Sequence, residues 1–156
     1  ADRLWDTSAQ LLSAHLLRSK YFRVVEWEKM KRLFDWDTLS HADIIKTPEN
    51  LQEAQRILLC DRFITGTITR FNVSTHAKSS ALSKEKIIDT SVRVDLLLQN
   101  AMTGEYIAAG RGEHTIRQTY SPGQVGSWDS RVGDDALDIA IEKALFELIA
   151  TYRRVQ

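Results

Sequence analysis

The sequence predicts an α+β fold: an antiparallel or mixed sheet of about four strands packed against helices. Three observations carry this. Apolar residues recur at three-and-four spacing near both ends of the chain. Between residues 63 and 98 the character changes to Thr-, Ile-, Phe- and Val-rich segments with period-two alternation. At 156 residues, with 43% hydrophobic and 27% charged residues and only 7 Gly and 2 Pro, the chain has the length and composition of one folded domain, 1–156.

The elements follow in the order α-β-α-α-β-β-β-α. Thr7-Ser-Ala-Gln10 has the form of a capping box and starts a helix running to about Ser19. Its Ala9, Leu12 and Leu16, flanked by Leu11 and Leu17, face the core. Tyr21-Phe-Arg-Val-Val-Glu26 is a short β-prone segment, and Trp27, Met30, Leu33 and Phe34 restart helical spacing. Residues 35–46 have weak periodicity and read as loop or a short helical turn. Thr47 caps and Pro48 opens the next helix, which carries Leu51, Ala54, Ile57 and Leu58 on one side.

Residues 63–73 and 87–98 are strands; in the second, Val92, Val94, Leu96 and Leu98 alternate with Arg93, Asp95 and Gln99. Asn100-Ala-Met-Thr-Gly104 is a turn with Gly available for positive φ, and residues 105–120 return as the partner strand. Within it, Gly110 and Gly112 weaken pairing, or permit a bulge or a close backbone approach. A Gly/Ser/Pro-containing loop spans 121–133. In the last helix Asp134, Asp135 and Asp138 sit at the start and Arg153 and Arg154 at the end, complementing the dipole, with Leu137, Ala140, Ile141, Ala144, Leu148 and Tyr152 as the apolar stripe.

Lys plus Arg (21) equals Asp plus Glu (21), so the formal net charge is zero and the electrostatic case for a nucleic-acid partner is missing. The longest apolar runs are a few residues, where a spanning helix needs about 20. A single cysteine, Cys60, cannot form an intrachain disulfide, and its place between an apolar helix end and a strand suits a small buried hydrophobe.

The search for chemistry finds none. His15, His41, His76 and His114 are dispersed, with no Cys or carboxylate at metal-ligand spacing, so neither a metal nor a cofactor is expected. Gly110-Arg-Gly112 is too short for a phosphate loop and lies in a strand. Ser127 and Ser130 belong to no nucleophile elbow, and Asp134 and Asp135 are explained by a helix N-terminus. The expectation is a protein that is not an enzyme. Trp128 stands apart: a large ring in a Gly/Ser/Pro loop is either an anchor folded onto the domain or a contact with a membrane or partner.

Four pieces in fixed order resemble the curli secretion pore subunit (CsgG-type) family, whose periplasmic domain is akin to the amino-terminal domain of TolB. They are Leu17-Arg-Ser-Lys-Tyr-Phe-Arg-Val-Val-Glu26 leading into Met30, Leu33 and Phe34; Ala54 through Ile64-Thr-Gly-Thr-Ile-Thr-Arg-Phe71; the Thr-Gly-Glu hairpin between Val92 and Ile107; and the terminal helix. In the pore subunit, inserts at the places of 74–89 and 114–134 build membrane-crossing hairpins. Here the first holds Lys78, Ser79, Ser80, Ser83, Lys84, Glu85 and Lys86 and lacks the alternation over about 9–11 residues that a barrel strand needs. The chain therefore looks more like non-pore relatives, such as the lipoprotein of the Pel exopolysaccharide export system. Relatives also begin with a core strand before the first helix, and only Ala1 to Asp6 precede it here, so that strand is missing, shortened or outside the sequence.

The resemblance implies a periplasmic protein tethered to the outer membrane, an accessory or scaffold of an export apparatus working as a homo-oligomeric ring beside an outer-membrane export protein. Exopolysaccharide is the expected cargo. Trp128 would then touch the membrane or the partner, and Asp129, Asp134 and Asp135 would line the ring. The alternative is a monomeric envelope lipoprotein that activates a peptidoglycan synthase.

Overall fold

The computed structural model describes residues 2–25, 60–80, 83–121 and 128–155. Within them the order is α1 (Asp2–Ser19), β1 (Arg62–Ser80), β2 (Ser83–Asn100), β3 (Tyr106–Tyr120) and α2 (Ser130–Val155). The strands form one antiparallel sheet in the order β1-β2-β3. Helix α2 packs on one face of it and α1 packs against α2, so the α+β architecture expected from the sequence is present.

The core is built where the two periodicities meet. Val92, Val94, Leu96 and Leu98 of β2 are buried, as are Leu137, Ala140, Ile141, Ala144 and Leu148 of α2. Each fully buried Leu or Ile contributes about 1.5–3 kcal/mol relative to exposure, so this seam dominates the stability of the described fold. Leu16 of α1 joins it, with Leu11 and Leu12 packed at its margin. Leu17, expected to flank the core, is 49% exposed instead. It sits one residue past Leu16, about 100° round the helix, where α2 does not reach.

Two glycines set the sheet-to-helix distance. A Cβ built on Gly110 would fall 2.0 Å from the carbonyl oxygen of Ala144, and one on Gly112 would fall 1.9 Å from that of Ala140. Of the three roles open to these glycines, the structure selects close backbone approach. The small residues Ala136, Ala140 and Ala144 on α2 meet it from the other side, all fully buried.

The β2–β3 hairpin forms as the sequence predicts. Gly104 takes φ 75°. The Asn100 side-chain oxygen accepts from the N–H groups of Met102 (2.8 Å) and Thr103 (3.1 Å), so the turn is fixed by its first residue as well as its glycine.

Several expectations need correction. Helix α1 begins at Asp2 and not at Thr7, because residues 2–6 contain no Pro or Gly to break it, so the capping pattern falls inside the helix. Residues 21–25 of the expected first strand are not in a strand: Phe22 and Val24 pack on the core without a ladder. The three strands of the described sheet are otherwise consistent with the expected sheet of about four. The expected helices at 27–34 and from Pro48, and the loop between them, lie outside the described residues.

Strand β1 continues past 73 to Ser80 and β2 starts at Ser83, so 74–80 and 83–86 are paired strand. Each added pair extends an existing ladder between consecutive strands, and residues 74–77 are exposed, where Ser, Thr and His are tolerated. Strand β1 carries a bulge: the register shifts between Ile68 and Arg70, leaving Thr69 as the extra residue. Ile64 and Ile68 face the helices before it and Phe71 after it, a switch of parity.

Helix α2 begins at Ser130, earlier than expected, and runs through Gly133. Asp134 and Asp135 therefore fall in its second turn and Asp138 in its third. The dipole effect fades within the first turn, so the role assigned to them passes to Asp129.

Candidate functional site

The residues singled out in the sequence converge on one corner, where α2 begins above the sheet. Asp129 is the N-cap of α2: its carboxylate accepts from the Arg131 N–H (2.9 Å) and its carbonyl from the Val132 N–H (3.0 Å). The Arg131 guanidinium returns onto the same carboxylate, with Nη2 at 2.7 Å and Nε at 3.0 Å. These side-chain bonds, then the backbone N–H, hold the Asp129 carboxyl below the usual aspartate range.

Trp128 lies against the sheet. Its indole N–H donates to the hydroxyl of Thr90, a fully buried residue, at 3.1 Å. Its ring meets that of Phe71 edge to face, with centroids 6.4 Å apart at 85°. Gly133 closes the contact, since a Cβ there would come within 2.9 Å of Phe71 and 3.1 Å of Trp128. Trp128 is thus a loop anchor, yet it stays 39% exposed, beside Phe71 and Val73 at 37% each.

Of the three expected lumen carboxylates, Asp129 is tied into the cap, Asp134 is half-buried with a partner of its own, and Asp135 is exposed. Sequence reading missed Thr90, Phe71 and Gly133 at this corner. Thr90 was detectable in principle: it is a lone hydroxyl in the buried register of Ile88, Val92 and Val94, and a buried hydroxyl there requires a partner.

The sheet face away from the helices is polar and cross-linked. Asp95 accepts from Arg111 Nε (2.6 Å) and from the Thr69 hydroxyl (2.8 Å), and Arg93 Nε donates to that hydroxyl at 2.9 Å. Arg70 pairs with Glu113 at 2.6 Å, reaching over β2. Arg117 engages Asp89 through two nitrogens, at 2.8 and 3.0 Å. Hydrogen bonds from Arg117 and Arg111, respectively, hold the carboxyls of Asp89 and Asp95 below their ordinary values. The bulge explains Thr69: the extra residue supplies a hydroxyl between Arg93 and Asp95.

The remaining candidate groups lie away from this corner. His15 contacts Asp138 at 2.6 Å and Arg18 at 3.2 Å, joining α1 to α2. Cys60 is half-buried, and burial pushes its thiol pKa up, which keeps it protonated and a poor nucleophile. His114 takes part in a contact with Lys143 at 3.2 Å, and His76 is exposed; His41 lies outside the described residues. Among the described residues no group of three or more His, Cys, Asp or Glu could hold a metal ion, and no helix is long and apolar enough to cross a membrane.

No curated protein matches the chain. Among solved structures, the crystal structure of lipoprotein GNA1162 from Neisseria meningitidis aligns with a TM-score of 0.47 at 18% identity, over 77% of this chain and 73% of that one. The family model described as "Curli production assembly/transport component CsgG" matches residues 2–152, and the chain belongs to that family.

Proposed function

We propose that this chain is a non-catalytic scaffold of an envelope export apparatus, periplasmic and held at the outer membrane, that works as a homo-oligomeric ring, with exopolysaccharide as the cargo. The observation that carries the reading is the family match across nearly the whole chain, residues 2–152. The polar character of the β1–β2 hairpin supports a part that does not itself line a membrane pore. In its exposed stretch 71–77 one side carries Asn72, Ser74 and His76, and the other offers only Phe71, Val73 and Ala77 as apolar residues, short of the alternation over about 9–11 residues that a barrel strand sets against lipid.

In this reading the corner of Trp128, Phe71 and Val73 meets the membrane or the outer-membrane partner, because it joins apolar area to an aromatic rim. Asp135, and Asp129 with its Arg131 partner, border the ring opening. The test is sedimentation and native mass spectrometry of the full chain over a wide concentration range. A single closed stoichiometry is expected. A monomer at the highest concentration would reject the ring and favour a monomeric envelope regulator, such as an activator of a peptidoglycan synthase.

A further inference from the structure

Strand β1 is the outer strand of the described sheet. From Thr69 to Ala77 every one of its residues is exposed. One side of this backbone has no ladder partner among the described residues, so it presents a row of N–H and C=O groups to its surroundings. Sheet edges are ordinarily blunted with proline, lysine or a covering segment. Residues 69–77, Thr-Arg-Phe-Asn-Val-Ser-Thr-His-Ala, contain neither proline nor lysine and are rich in β-formers.

The charge of β1 says what fits. The strand carries Arg62, Arg70, His76 and Lys78 and no Asp or Glu, although the whole chain balances 21 acids against 21 bases. Phe71 and Val73, each 37% exposed, lie toward the helix side, next to the exposed part of Trp128. Arg70 lies on the opposite face, with its side chain 45% exposed beyond the single nitrogen that Glu113 engages.

We propose that the 69–77 edge of β1 receives an extended segment of another protein, acidic and apolar by turns, which adds to the sheet as a further strand. Main-chain hydrogen bonds supply the attachment, and alternate side chains supply the choice of partner. Apolar residues of the incoming strand cover Phe71 and Val73, while its carboxylates face Arg70 and His76. A second copy of this chain is the poorer occupant through the same edge, because it would set two carboxylate-free basic strands side by side. The inference does not rest on the ring, which would be built head to tail from two different, mutually complementary surfaces.

The test uses the full chain and two synthetic peptides of the same length as the 69–77 segment, one alternating valine with glutamate and one alternating valine with lysine. Amide hydrogen exchange is followed residue by residue. With the glutamate peptide in excess, alternate amides between 69 and 77 exchange at least about tenfold more slowly, an effect that weakens with added salt. The lysine peptide gives no such protection to the native protein. In the Arg70→Glu/His76→Glu double variant the preference reverses, a readout that loss of folding cannot imitate. Equal protection by both peptides, protection located elsewhere, or protection of the same amides by self-association without peptide would each overturn the proposal.

Discussion

Replacing Gly112 by alanine should unfasten α2 from the sheet. The added methyl would sit 1.9 Å from the Ala140 carbonyl oxygen, 2.5 Å from the Ala144 nitrogen and 2.9 Å from the Lys143 Cβ. Two of these obstacles are helix backbone, which cannot rotate away as a side chain can. Relief to an ordinary carbon–oxygen contact, about 3.3 Å, requires the helix to retreat by more than about 1 Å. A gap of that size forfeits a quarter to a half of the dispersion energy across the faces it separates. Those faces include Ala140, Ala144 and Leu148, all fully buried. Overpacking of this kind costs about 1–3 kcal/mol, occasionally more, against a gain of about 0.5–1 kcal/mol from replacing a strand glycine. A clash with helix backbone places the cost at the upper end, so the net expectation is a loss of about 2 kcal/mol. In urea unfolding followed by circular dichroism, with a slope of about 2 kcal/mol/M, the midpoint falls by about 1 M. Gly66→Ala is the control, since its Cβ would meet only the flexible end of Leu96 at 3.1 Å. A Gly112→Ala midpoint indistinguishable from that of Gly66→Ala would refute the close-approach argument.

Two further outcomes follow from the same geometry. Trp128→Phe keeps a ring beside Phe71 but deletes the donor to the buried Thr90 hydroxyl, so it costs about 1–3 kcal/mol; adding Thr90→Val recovers part of the loss, and a double-mutant cycle without coupling would disprove the bond. The carboxyls of Asp89, Asp95 and Asp129 are held low in the folded state by their arginine partners. Their contribution is therefore complete above the unfolded aspartate pKa of about 4 and is lost as pH falls through the lower folded values. Side-chain carboxyl NMR titration should place all three midpoints below that of a solvated aspartate, and Arg117→Gln should return Asp89, but not Asp95, to the ordinary range.

Much of the core was legible because periodicity reports burial directly. The stripe from Leu137 to Tyr152 and the alternation from Val92 to Leu98 both stand in the structure as the sequence predicts. The turn at residues 100–104 was legible because Asn and Gly have few other reasons to sit four residues apart between strands. Boundaries were less readable. Asp129 and Ser130 offer a cap as good as any downstream, but Gly133 argues for a loop until Phe71 and Trp128 are known to press against it. Strand β1 was the hardest, since a bulge at Thr69 switches which residues face the core, and a period-two pattern cannot be followed across a switch.

The sequence by itself determined the class of fold, the apolar faces, the hairpin and the family likeness, because each is written in local spacing and in the order of short motifs. Only the tertiary structure decided that Gly110 and Gly112 admit a helix, that Trp128 hangs from Thr90, that the polar sheet face is knit by Arg70, Arg93, Arg111 and Arg117, and that one edge of β1 has no ladder partner among the described residues. The physical reason is common to all four. Each depends on which atoms from distant parts of the chain come within a few ångströms, a quantity that spacing along one strand or helix does not contain.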